Sequence, residues 1–232
     1  MSSEKPIGPS LPGWTARPAP PRATLDGRFC RLEPLSADKH AAELFAANSL
    51  DATGANWTYL SVGPFPDIDA YKAWLARVEK GDDPIFFAIV DKGSGRAVGV
   101  AALMRIDKAN GVIEVGHLNF SPLLQRTPAA TEAMFLLMRL VFDDLGYRRY
   151  EWKCDSLNAA SRKAAERLGF RYEGLFRQAV VYKGRSRDTA WFSVIDKEWP
   201  ALRQGYARWL AADNFDAAGR QLQSLKACLY PQ

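Results

Sequence analysis

Thr127-Pro128 constrains this chain most, because the pair reads as the start of a helix. A threonine hydroxyl caps the free amides of a first turn. Proline is favoured at the next position, where its missing N–H is one that no helix bonds internally. Downstream, Met134, Leu137, Met138, Val141 and Leu145 recur at helical spacing, and Gly146 closes a helix of about fifteen residues. Upstream, Val112–Phe120 alternates as a strand. A strand that stops just before a helix start aims free backbone amides, and the positive end of the helix dipole, at one spot beyond the sheet. Such a spot suits an anion such as a pyrophosphate.

The other elements arrange themselves around this junction. Residues 1–24 hold six prolines from Pro6 to Pro21 and form an extended arm, with Trp14 as an anchor to the domain or to a partner. Arg28–Leu32 is a first strand, and Ala37–Asn48 a helix capped by Ser36 or Asp38. Trp57, Tyr59 and Phe65 lie in a loop-rich stretch, either as a docking surface or as a local cluster. Asp69–Lys80 is amphipathic, with Tyr71, Trp74, Leu75 and Val78 on one face. Pro84–Val90, Ala97–Arg105 and Val112–Phe120, joined by turns at Lys92–Gly95 and Lys108–Gly111, make an antiparallel meander. Arg149–Asp155 follows the long helix, and that crossover implies one parallel pair in an otherwise antiparallel sheet. Asn158 caps a helix, Ala159–Leu168, that Gly169 closes. Arg171–Tyr182 and Asp188–Asp196 then pair as a hairpin. After Trp199-Pro200 the composition turns to helix formers, expected outside the chemistry, covering a sheet edge or mediating a homodimer.

Composition narrows the function. With a net charge of +5 and no run of five basic residues, the chain lacks the dense patch that nucleic-acid binding requires. Three scattered cysteines and two histidines show no metal-ligand spacing, so no metal is expected. Neither a signal pattern nor an apolar run near eighteen residues occurs, which leads us to expect a cytoplasmic chain without membrane partners.

This order of elements resembles the GNAT superfamily of acyl-CoA-dependent N-acyltransferases from Arg28 to Trp199. Gln125-Arg126-Thr127-Pro128-Ala129-Ala130 resembles the family's phosphate-binding loop. Asn158-Ala159-Ala160-Ser161, with Leu168-Gly169-Phe170, Glu173-Gly174 and Asp188, resembles the branch that acetylates ribosomal-protein N-termini. The resemblance implies an α/β (α+β) fold: a mixed, mostly antiparallel twisted sheet of six to seven strands with a splayed parallel pair, flanked by helices. The domain would span 25–199, between the arm at 1–24 and a helical appendage at 200–232. It implies acetyl-CoA as co-substrate and a primary amine as acceptor, either a protein N-terminal α-amine or a small molecule. Gln125, Arg126, Thr127, Ala129, Ala130 and Thr131 would take the pyrophosphate. Leu118, Asn119 and Phe120 would pair with the pantetheine, Asn158 would hold it, and the Ser161 hydroxyl would lie near the thioester sulfur.

The sequence departs from the family at three places. Pro128 replaces the loop glycine and removes a donor. Ala165 stands where many members carry a tyrosine acid, and Val180 where some carry a glutamate. Glu114 is then the candidate base, through water, or else it orders the active-site loop. His117 falls on the opposite strand face by alternation. Trp57 and Tyr59 are candidates for shaping the acceptor pocket. A catalytically weak acyl-CoA sensor is the alternative. A nucleotide-binding α/β protein is disfavoured, since no Gly-x-Gly-x-x-Gly follows a strand.

Overall fold

The computed structural model describes residues 5–231; residues 1–4 and 232, at the ends of the expected arm and appendage, lie outside that range. Eight strands form one sheet: β1 (Leu25–Asp26), β2 (Cys30–Pro34), β3 (Ile85–Asp91), β4 (Ala97–Asp107), β5 (Val112–Phe120), β6 (Arg149–Asp155), β7 (Arg171–Tyr182) and β8 (Arg185–Ile195). Their order is β1-β2-β3-β4-β5-β6-β8-β7, and only β5 and β6 run parallel. The mixed, mostly antiparallel sheet is thus as expected, with one strand more. The extra strand, β1, has two residues folding back on Arg31 and Leu32, too short to leave a periodic signature.

Helices α1 (Ala37–Asn48), α2 (Ile68–Val78), α3 (Pro128–Arg139), α4 (Ala159–Arg167), α5 (Trp199–Leu210) and α6 (Leu225–Leu229) flank the sheet. Ser36, Asp67, Thr127, Asn158 and Ser224 each cap the helix that follows by accepting an amide of its first turn. Strand alternation divides the core. Phe87, Leu103, Ile113 and Val115 face α3 and α5, while Phe86, Ala88 and Val100 face α1 and α2. The second cluster stops at β4. Farther along that face, ion pairs link Arg105, Glu114, Lys153, Glu151, Arg149 and Glu173. Glu114 and Glu151 are buried there and Lys153 half-buried, and each charge is matched by a neighbour of opposite sign, as burial demands.

Glu132 on α3 ties the first strands to the core. Its carboxylate accepts the amides of Arg28, Phe29 and Cys30 at 2.6–2.8 Å. The approach is so close that a Cβ on Gly27 would come within 2.5 Å of it, so no other residue fits there without a shift. Trp14 anchors the proline-rich arm to the domain: its Nε1 donates to Ala109 O at 2.8 Å, and Tyr147 holds Pro18 O at 3.0 Å. The C-terminal helices are not a detached appendage. Phe135 stacks on Tyr206 and Phe142 on Trp199, and Leu225 and Leu229 join the main core.

Candidate active site

The site is an opening between parallel strands. β5 and β6 pair from Val112↔Arg149 to Val115↔Trp152. Beyond that point β5 keeps only its β4 partner, through Phe120, and β6 turns to β8 as far as Asp155. Register fixes the reason. Ala102 faces Gly116 and Val100 faces Asn119, so three steps on β5 match two on β4. The surplus residue forms a bulge at His117, whose φ of +48° is the left-handed value bulges tolerate. A bulge bends its strand and shifts the phase of alternation. His117 accordingly lines the same cavity as Glu114, Gly116 and Leu118, correcting the expectation that it faces away.

That first cavity, about 530 Å³, lies between the β5–β6 opening, the Ala55–Ser61 loop and the β7–β8 hairpin. A second, about 770 Å³, runs along the start of α3 and the side of α4. The two share Trp152 and Ala160, so they meet at the opening.

In the second cavity, Thr127 Oγ1 donates to Leu124 O at 2.7 Å and accepts the Ala130 amide at 3.2 Å. The Gln125 and Thr127 amides bond Ser121 O and Leu124 O, and Pro128 has none. The Arg126 and Ala129 amides keep no protein partner among the described residues, and they point to the anion site that the helix start implies. Arg126 has φ +62°. Gln125 is a correction: its side-chain amide donates to Phe120 O and Asn56 Oδ1, both at 2.8 Å. With both N–H groups spent it holds the loop and has no donor left for a phosphate. Thr131 is buried, its hydroxyl accepting both terminal nitrogens of Arg167 at 3.1 Å. Phe120 lines this cavity. The Asn119 side chain does not: it is buried and has no hydrogen-bond partner among the described residues, leaving only its backbone for a pantetheine.

In the first cavity, Asn158 Oδ1 accepts the Ser161 amide at 3.0 Å, and Ser161 Oγ accepts Trp152 Nε1 at 3.0 Å. Lys153 Nζ and Arg105 Nε lie 3.0 and 3.1 Å from Glu114 Oε2. Burial raises the Glu114 carboxyl above its ordinary value despite Lys153 and Arg105, which pull the other way. Burial also lowers His117, keeping its imidazole neutral. Tyr59 lines this cavity, its hydroxyl on Leu157 O at 3.2 Å. Trp57 does not. Its ring is buried against Phe65 and Tyr71, so the local-cluster reading holds and its candidacy for the acceptor pocket is withdrawn.

Several residues escaped sequence reasoning. Trp152 and Arg167 were passed over as an ordinary strand and an ordinary helix residue. Tyr182 donates to Asp155 Oδ2 at 2.8 Å. Burial, then that carboxylate, pushes its phenol up to about 12, too high for ready proton release. Trp209, Phe215, Arg220 and Gln221 wall the second cavity, so the C-terminal segment borders the candidate site. No grouping of three His, Cys, Asp or Glu side chains that would hold a metal occurs among the described residues. No helix there is long and apolar enough to cross a membrane.

A mixed sheet opened between two parallel strands, with bare amides at one mouth and a polar chamber at the other, defines a class of protein. It holds a long anionic carrier against a separate acceptor. Residues 30–171 match the family model described as Acetyltransferase (GNAT) domain, and the chain belongs to the GNAT acetyltransferase family, N-acetyltransferases that use acetyl-CoA as co-substrate. A crystal structure of a GCN5-related N-acetyltransferase from Brucella melitensis is 56% identical. It covers 94% of this chain and 99% of its own, at a TM-score of 0.92. A Bacillus licheniformis protein named uncharacterized N-acetyltransferase p20 is 27% identical over 144 residues, 61% of this chain and 80% of that one. The microcin C7 self-immunity acetyltransferase MccE, solved with acetyl-CoA and AMP, shares the fold. It is 21% identical over 73% of this chain and 93% of its own, at a TM-score of 0.64.

Proposed function

We propose that this chain transfers an acetyl group from acetyl-CoA to a primary amine, a protein N-terminal α-amine or that of a small molecule, by direct attack in a ternary complex. One observation carries the reading: two cavities, one at a bare helix start and one lined by Glu114 and Ser161, meet at Trp152 and Ala160. The Arg126 and Ala129 amides, with Arg126 and Arg167, suit the pyrophosphate, and Ala130, Thr127 and Thr131 shape its seat. The open backbone of Leu118–Phe120 suits the pantetheine amides, as an added strand would. Asn158, whose Oδ1 is engaged in capping, keeps its amide N–H groups for a pantetheine carbonyl.

The chemistry asks for a neutral amine, a stabilised oxyanion and a proton for the leaving thiolate. At pH 7, neutralising an α-amine of pKa about 8 costs about 1.4 kcal/mol, and a lysine amine about 4.6 kcal/mol. That difference favours α-amines and other amines of low pKa. Glu114 takes the amine proton on Oε1, directly or through water, while Oε2 stays with Lys153 and Arg105. Ser161 donates to the sulfur.

In a thiol-release assay with acetyl-CoA and an amine panel, we expect turnover that Glu114→Gln lowers by about 10²–10⁴-fold. Loss confined to His117→Gln would pass the base role to the imidazole, which the bulge brings to the same wall. The sensor reading draws on Pro128, Ala165 and Val180. It would prevail if coenzyme A bound but no amine released thiol.

A further inference from the structure

Among the described residues, Arg187 is the cation of the acceptor cavity left without a carboxylate partner. The other two cations are spoken for: Arg105 and Lys153 both reach Glu114, and Lys153 also reaches Glu151 at 2.7 Å. Arg187, on β8 opposite Val180, spends Nε on Thr189 Oγ1 at 3.1 Å. Among the described residues no carboxylate oxygen lies within 4.0 Å of it. The carboxylates around it have other partners. Asp155 accepts the Tyr182 hydroxyl and the Leu157 amide, and Asp188 accepts the Gln178 amide. Both terminal nitrogens therefore remain open, on a half-buried arginine that lines the cavity. The strand that carries it is held in place, because the adjoining hairpin turn is fastened where Lys183 Nζ donates to Trp57 O at 2.7 Å.

A planar guanidinium with its fork free matches a carboxylate or a phosphate, and facing it with a neutral ligand wastes its desolvation. We propose that the acceptor is a small amine that also bears an anionic group, a carboxylate or a phosphate, gripped by Arg187 while the amine faces Glu114. This rests on the transfer reading above and sharpens it. A protein N-terminus, where a neutral peptide group follows the amine, offers Arg187 nothing to hold.

The test offers the protein amino acids against their carboxamides, aminoalkyl phosphates against the parent amino alcohols, and a peptide amide with a free N-terminus. For the best pair, kcat/KM should favour the anionic member by about ten- to a hundredfold, the range expected of a charge-assisted contact. It should do so although that member has the more basic amine. Arg187→Gln should bring the ratio near one, and Arg187→Lys should restore part of it. Coenzyme A affinity, measured by calorimetry, should stay within about threefold in both variants, showing that they fold. Which arm wins, carboxylate or phosphate, names the source of the anion. Equal or better use of the carboxamides or the peptide, or a ratio untouched by Arg187→Gln, overturns the proposal. A binding arm separates the two readings: with coenzyme A present, an anionic amine that binds wild type and not Arg187→Gln upholds this inference even if thiol release were absent. Absent thiol release would sink the transfer reading alone.

Discussion

Trp152 Nε1 and Ser161 Oγ are 3.0 Å apart, and that bond decides what the serine can do. An indole N–H only donates, so the serine oxygen accepts and its own proton is left for another group, with Cys154 as its protein neighbour. Trp152 also lies where the two cavities meet. The bond thus holds the hydroxyl beside the junction of the two cavities, where the proposed function puts the thioester sulfur. Cys154, raised by burial, stays a thiol and does not compete as a nucleophile.

Removing that hydroxyl should slow the chemistry and spare binding. For Ser161→Ala we expect kcat to fall by about ten- to a hundredfold, with acetyl-CoA affinity within about threefold, and Trp152→Phe should follow in the same direction with a smaller loss. Steady-state kinetics beside calorimetric titration separates the two quantities. A large loss of affinity with unchanged turnover would reassign Ser161 to binding.

Pro128 withholds an amide from the anion site while starting α3 well. Pro128→Ala returns an N–H next to the free Ala129 amide, and coenzyme A should bind about two- to tenfold tighter, the net worth of one ordinary, solvent-exposed hydrogen bond. Dephosphorylated pantetheine, which lacks the pyrophosphate, should show no gain. Equal gains for both ligands would mean that the alanine acts through helix stability and not through a new donor.

Most of this architecture was legible in the chain because it rests on local rules. The caps at Ser36, Thr127 and Asn158 placed helix starts, while α3 itself stops at Arg139 and a π turn, Leu140–Asp144, carries the chain on to the expected stop at Gly146. The Lys183-Gly184 turn, with φ of +48° and +69°, ended β7 where the turn chemistry said. What was hidden depends on partners far away in sequence. The bulge at His117 follows from register against β4; within Val112–Phe120 only Gly116 beside it hints at one, and its position says nothing of which way His117 turns. Gln125 looked free until Asn56 met it from 69 residues away. Trp209 and Arg220 sit in a segment whose composition says only helix or turn, yet packing swings it to the mouth of the second cavity. Trp57 failed as a pocket residue for the reverse reason: Phe65, Tyr71 and Trp74 supply an aromatic cluster that buries it.

Glu132 should be the costliest surface-remote carboxylate to lose. It is buried, and three amides converge on it. Glu132→Ala leaves those donors without a partner in a space too small to wet fully. The expected loss is about 3–5 kcal/mol of unfolding free energy, from the cost of stranded buried donors. Glu132→Gln retains one acceptor oxygen but turns a donor toward donors, so it should recover less than half. Urea denaturation measures both. A loss under about 1 kcal/mol for Glu132→Ala would show that water reaches these amides.

His117 and Glu114, both on the cavity wall, pull stability in opposite directions with pH. Burial lowers His117 from its ordinary value, so below pH about 6.5 the unfolded chain binds a proton that the folded chain refuses. That contribution makes stability fall as the pH drops toward the folded value. Glu114 is raised. Above pH about 4.5 the unfolded chain releases a proton that the folded chain retains, and stability falls as the pH climbs toward the folded value. Between these limits the terms oppose and partly cancel. Each variant should therefore expose the other. Relative to wild type, His117→Gln should gain stability as pH is lowered from 7 to 5, and Glu114→Gln should gain as pH is raised across that range. Unfolding free energies at matched ionic strength give both slopes. A wild-type-minus-His117→Gln difference that stays flat from pH 7 to 5 would show that the imidazole is solvated in the folded protein, and the neutral, half-buried His117 of the cavity wall would have to be given up.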